Sequence, residues 1–246
     1  MSEPVVLPPM AGALGEAWVA ILEIAERLPE HWTLIGGQMV LLHCWERERP
    51  LARPTTDGDA VLDVRAVPAM LDVFTRVLRD LGFTSAGVSA SGHEHRWLRG
   101  EAQIDVLIPD NVGERAAART GATGSTTIRT PGGLEALEYS RPVAVRSGDQ
   151  QAEVPRPHLA GALLTKARAY GVFLDRDRDR HLLDAAVLTS MLERRDLPDL
   201  AAITAKPKRR RTLIDLLARL SERGDLWAGV EGASDGIERL RTALGQ

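Results

Sequence analysis

Asp57 and Asp59 stand two residues apart in a stretch that reads Arg53-x-Thr55-x-Asp57-x-Asp59. Side chains alternate along a β-strand, so on a strand both carboxylates leave the same face, roughly 7 Å apart at Cα. Asp105 sits alone in a later apolar run and joins them if its strand lies alongside with its side chain on the same face. Three converging carboxylates suit two hard divalent cations, Mg²⁺ above all, and leave coordination positions for water and substrate phosphates. Asp63 shares the parity of Asp57 and Asp59, which leaves its part in metal binding open.

Upstream, Gly36 and Gly37 fall where an apolar run gives way to a helical pattern. Bare backbone N–H groups at a helix start can approach a phosphate closely. Each of these features also has a plainer explanation. A D-x-D pair in isolation is usually a solvated turn or strand end, and Lys166 in isolation is a surface lysine. Asp184, three residues after His181 and four after Arg180, fits a helix-surface ion pair as well as active-site support. The alternating charges from Asp175 to Arg180 read as a solvated loop or helix start. Lys206 to Arg211 places five basic residues in six positions, and two readings stand open: a grip on a phosphate backbone, or the solvated start of a helix.

The elements that must position these residues follow from periodicity. Ala13 to Leu28 carries Leu14, Trp18, Ile21, Leu22, Ala25 and Leu28 at helical spacing, and Pro29 ends it. Trp32 to Ile35 reads as a strand, Gln38 to Arg47 as a helix, Asp57 to Val64 as a strand and Val67 to Leu81 as a helix closed by Gly82. His95 to Leu98 and Gln103 to Ile108 form an expected antiparallel hairpin across Arg99 to Ala102. The stretch from Asn111 to Gly133 reads as irregular, with strand signals near Thr126 to Arg129 and Pro142 to Val145 that find no partner in the sequence. Glu153 to Pro157 reads as a linker. Beyond it, helices are expected over Pro157 to Tyr170, Asp179 to Leu192, Lys208 to Leu220 and Ile237 to Leu244. Residues 1–155 are thus expected to form an α+β domain and 156–246 a helical one.

Composition narrows the class of protein. With 246 residues, 44% hydrophobic and 26% charged, the chain can build a core, and its formal charge of −3 provides no global basic field for a nucleic acid. Any polyanion site must be local. One cysteine, Cys44, excludes an internal disulfide and a multi-thiolate zinc site, and the six histidines show no zinc-ligand spacing. Cys44, Trp18, Trp32, Trp45 and Trp97 read as core residues. No signal peptide and no membrane span is read, so a cytoplasmic protein is expected.

The order strand, Gly-Gly, helix, R-x-T-x-D-x-D and a lone strand aspartate resembles the DNA polymerase β-like nucleotidyltransferase superfamily, and within it the AbiEii and MenT-type toxins. The resemblance spans roughly Trp32 to Leu192. It implies a small mixed sheet with flanking helices followed by a C-terminal helical bundle, an enzyme that moves a nucleoside monophosphate from an NTP to an acceptor hydroxyl, and two Mg²⁺ ions. It further implies Asp57 and Asp59 as ligands of both metals and Asp105 as ligand of the catalytic one, able to assist deprotonation of the acceptor. Gly36, Gly37, Arg53, Thr55 and Lys166 become nucleotide contacts, while Arg180, His181 and Asp184 echo the basic, aspartate-bearing helix that supports the site. The 3′ end of tRNA is the implied acceptor and a cognate antitoxin the implied partner. Antibiotic nucleotidyltransferases share the Gly-Gly and D-x-D arrangement, which makes small-molecule transfer the rival activity. Where those proteins carry apolar residues between and after the aspartates, this chain has Gly58 and Ala60, the motive for a third reading as a catalytically silent nucleotide-binding protein.

Overall fold

The computed structural model describes residues 3–50, 53, 55–172, 175 and 177–246. Strand β1 (Val5–Val6) leads into helix α1 (Gly12–Arg27), which buries Trp18, Ile21, Leu22 and Ala25 on the expected face. Strand β2 (Trp32–Ile35) passes directly into α2 (Gly36–Glu46), so the helix starts at the first glycine, two residues before the expected Gln38. There follow β3 (Asp57–Leu62), α3 (Met70–Asp80), the short β4 (Thr84–Ser85), and the expected hairpin of β5 (Arg96–Arg99) and β6 (Ala102–Pro109).

The stretch expected to be irregular contains α4 (Glu114–Ala117) and β7 (Ile128–Thr130). After α5 (Gly133–Glu138) come β8 (Ser140–Ser147) and β9 (Gln150–Pro157). Glu153 to Pro157 is therefore not a linker but the second half of a hairpin strand. Its two prolines suggest a break, yet β9 is the edge of the three-stranded sheet β1-β8-β9, where a missing N–H can face away from the partner strand. The rest is helical: α6 (Leu159–Tyr170), α7 (Asp179–Ser190), α8 (Leu197–Thr204), α9 (Pro207–Glu222), α10 (Gly224–Trp227) and α11 (Ala233–Leu244). Helices α6, α7, α9 and α11 pack on one another. One hydrophobic cluster takes in Trp18, Phe74 and Trp97 from before residue 155 and Leu163, Leu188 and Leu216 from after it.

The larger sheet runs β2-β3-β6-β5-β4, with β7 also paired to β6. It is mixed: β2 and β5 are antiparallel to their neighbours β3 and β6, which run parallel to each other. Leu107 of β6 pairs with both Val61 and Ile128, which puts β7 on the edge of β6 that β5 occupies further back. Helices flank this sheet, and none of those described is long and apolar enough to cross a membrane.

Gly58 has a packing reason. Its Cα faces away from the two aspartates, and a Cβ there would lie 2.8 Å from Ile104 Cδ1 and 3.3 Å from Ile21 Cδ1, so the glycine lets α1 close on the sheet. Ala60, also buried, continues that small face. Gly58→Val should destabilise the fold by roughly 1–3 kcal/mol through overpacking, and Ile104→Val in the same chain should recover part of the loss. Urea unfolding of the two variants measures this.

Candidate active site

Register alone assembles the acidic centre. Ile35 pairs with Asp59, Asp59 with Asp105, and Asp105 with Arg96, so one row crosses four strands. Asp57, two residues before Asp59, shares its face. Carboxylate oxygens of Asp57, Asp59 and Asp105 all lie within 4.8 Å of one another. Asp63 stands outside this group: it follows the end of β3, and its Oδ1 accepts from the backbone N–H of Arg65 and Ala66, 3.2 and 3.0 Å away, closing a turn.

The glycine corner is shaped by the acids themselves. Gly36 has φ +68°, and a Cβ on it would fall 1.7 Å from Asp59 Oδ2; one on Gly37 would fall 2.3 Å from Thr55 Oγ1. Glycine at both places brings the start of α2 against the carboxylate and the threonine. Thr55 Oγ1 in turn donates to Asp57 Oδ1 over 3.0 Å. A residue the sequence reading passed over anchors this segment: buried Gln38 receives the Trp18 indole N–H at 2.7 Å and donates to the Thr55 carbonyl at 3.2 Å.

A cleft of about 450 Å³ opens over the acids, and its walls include Gly36, Gly37, Arg53, Thr55, Lys166, Arg180 and His181. Lys166 projects from α6 and is buried, its Nζ donating to Asp184 Oδ2 over 2.7 Å. Arg53 grips the same carboxylate with Nε and Nη2, both at 2.8 Å. Asp184 is accordingly no helix-surface partner of Arg180 or His181. It is buried in the packing of α7 and ties together two cations that come from either half of the chain. Burial raises its affinity for a proton, but Lys166 and Arg53 outweigh that and hold it below the usual carboxylate range.

Arg180 and His181 instead meet Asp175, at 3.2 Å each, and Arg180 also reaches Asp177. Asp175, Asp177 and Arg180 all line the cleft, so this run is part of its wall rather than only a solvated loop. Arg176, which belonged to that expectation, lies outside the described residues. Burial, with Lys166 and Arg180 nearby, lowers His181 to about 4, leaving it neutral at physiological pH.

Two further cleft residues escaped the sequence reading. Arg96 embraces Asp105, Nε to Oδ1 at 3.1 Å and Nη2 to Oδ2 at 3.0 Å, while Gln103 Nε2 adds a bond of 3.2 Å to Oδ1. Arg129 of β7 lines the same side. The hairpin register was the available signal for Arg96, since it is the cross-strand neighbour of Asp105. The basic run at Lys206 is spread over internal contacts: Lys206 and Arg209 meet Glu138, Arg210 the Leu244 carbonyl and Arg211 Asp215.

The surroundings of Asp59 disfavour its charge. Desolvation first, then repulsion from Asp57 and Asp105, push it up to about 7. A divalent cation would relieve both causes, and the donor set is all oxygen with hard carboxylates, so the residues fit a hard divalent cation. No protein-family model matches this sequence, and no curated protein does.

With a folded-state value above that of the unfolded chain, Asp59 holds a proton in the native state between about pH 4 and 7 that the unfolded state has released. Stability from this residue is therefore present at low pH and is lost as pH rises through about 7. Asp59→Asn should raise the melting temperature of the metal-free protein at pH 8, with little gain at pH 5, and wild-type binding of Mg²⁺ should tighten from pH 6 to pH 8; thermal denaturation in chelator and titration calorimetry measure these. Separately, Asp184→Ala leaves Lys166 and Arg53 without their shared anion and should cost roughly 3–5 kcal/mol in chemical unfolding.

Proposed function

We propose that this protein is a metal-dependent nucleotidyltransferase of the DNA polymerase β-like type. The observation that carries the reading is the meeting of Asp57, Asp59 and Asp105 beside the Gly36-Gly37 corner, in one cleft with Lys166. The mixed sheet with flanking helices agrees with the resemblance of the motif order to the AbiEii and MenT-type toxins. On this reading the protein is a toxin, its acceptor is the 3′ end of tRNA, and a cognate antitoxin restrains it.

In the reaction the acceptor hydroxyl oxygen forms a bond to the α-phosphorus of the NTP, the bond from that phosphorus to the bridging oxygen breaks, and pyrophosphate leaves with the bond pair. Bound Mg²⁺ supplies charge neutralisation and makes the acceptor hydroxyl more acidic. Asp57 and Asp59 would hold the cations; Asp105 would complete the set and accept the hydroxyl proton. Backbone N–H groups at the start of α2 face the triphosphate, helped by the positive end of the helix. Lys166 and Arg53 offer their charge from the same cleft, and Asp184 fixes where both cations stand. Thr55 orients Asp57 through its hydroxyl.

Incubation with α-labelled NTPs, Mg²⁺ and total tRNA should label RNA, whereas aminoglycosides or lincosamides should remain unlabelled. Asp57→Ala and Asp59→Ala should each lower transfer by roughly 100-fold or more. Lys166→Gln should act mainly through a raised KM for NTP. Full transfer by either aspartate variant defeats the assignment.

A further inference from the structure

The row Ile35, Asp59, Asp105, Arg96 gives the cleft a direction. At one end stands the glycine corner and at the other Arg96, three strand spacings or roughly 14 Å away. If the triphosphate lies at the glycine corner, with Lys166 and Arg53 beyond it, the leaving pyrophosphate points to that end. In-line displacement requires the attacking oxygen to come from the opposite side. The acceptor therefore approaches across Asp105, from the strand edge formed by β5 and β7.

That edge is basic. Arg96 and Arg129 both line the cleft there; Arg129 is paired with Glu114 at 2.9 Å, while the partner of Arg96 is Asp105, which the cation takes. Arg96 is bound to Asp105 in the metal-free protein, yet its side chain is 45% exposed, so it can exchange this partner without unpacking the core. A cationic small molecule would meet the guanidinium of Arg96 once Asp105 has been given up to the cation. A phosphodiester meets the planar, two-pronged donor that suits it.

Resting on the nucleotidyltransferase reading, we propose that Arg96 is an acceptor-binding residue: it holds Asp105 until a cation takes that carboxylate, then binds the phosphodiester next to the attacking hydroxyl of a nucleic-acid acceptor. The residue thereby links cation loading to acceptor capture and selects an acceptor with an anionic group one nucleotide from its end.

The test measures binding of a 5′-labelled single-stranded RNA to wild type, Arg96→Ala and Arg96→Lys by fluorescence anisotropy, in Mg²⁺ and in chelator, without NTP. Arg96→Ala should weaken binding about tenfold in Mg²⁺, the size of one charge-assisted contact, with little change in chelator, where wild-type Arg96 is engaged with Asp105. Arg96→Lys should restore part of the loss. A methylphosphonate in place of the terminal phosphodiester should erase the difference between wild type and Arg96→Ala. In calorimetry, Arg96→Ala should bind Mn²⁺ more tightly than wild type, because the competing guanidinium is gone. In transfer assays its KM should rise for RNA and stay constant for NTP. Equal losses in Mg²⁺ and chelator, or no loss in Mg²⁺, overturn the proposal. If wild type labels no acceptor at all, the nucleotidyltransferase reading fails, while the anisotropy and Mn²⁺ measurements still decide whether Arg96 exchanges a carboxylate for a phosphate.

Discussion

Mutual repulsion among three carboxylates held within 4.8 Å of one another is the constraint around which this molecule is arranged. Left to themselves, such groups move apart or take up protons. Here the sheet register prevents the first, since Asp59 and Asp105 are paired residues on adjacent parallel strands. The second is met unevenly. Arg96 and Gln103 serve Asp105, Thr55 serves Asp57, and Asp59, pressed against the glycine corner, has its proton affinity raised. Stability is given up locally where a cation can return it, which is how binding sites commonly differ from the rest of a core.

Another part of the cleft wall uses the reverse arrangement, one buried anion between two cations. Asp184 on α7 joins Lys166 on α6 to Arg53 just ahead of β3. Because Arg53 precedes the D-x-D strand by only a few residues, the helical half of the chain and the acidic strand are fastened at the point where the cleft needs a fixed width. Burial of Asp184 and Lys166, with Arg53 half-buried beside them, is tolerable because the carboxylate is satisfied by three charge-assisted hydrogen bonds, and removing any partner strands the others.

How much of this was legible in the sequence depended on range. Local periodicity placed Trp32–Ile35 correctly and the β5–β6 hairpin to within a residue or so, since alternation and a short turn specify those elements from within. Convergence of Asp105 with Asp57 and Asp59 was accessible only as a conditional statement, because parallel pairing of strands forty residues apart leaves no local mark. The second sheet was seen only in part, for a related reason: the strand signal at Pro142 to Val145 lies within β8, but its partners β1 and β9 went unrecognised. Its strands β8 and β9 contain Pro142, Pro155 and Pro157, and β1 is two residues long; each piece looks like punctuation until its partners are known. Asp184 misled by the opposite error. Its i−3 and i−4 neighbours offered a local partner, whereas burial selected distant ones.

The glycines around β3 show how a short motif can encode two faces at once. On the cleft face, Gly36 lies where any side chain would occupy the Asp59 carboxylate, and Gly37 where it would displace Thr55. On the core face, Gly58 makes room for Ile21 and Ile104, so that α1 can press on the strand that carries the acids. An apolar side chain at that position would fill the core in its own way, but here α1 does so with Ile21, and the smaller residue is the complement of the larger one across the interface. Glycine between the two aspartates therefore serves the packing behind the strand. It leaves the carboxylates in front of it where the register puts them.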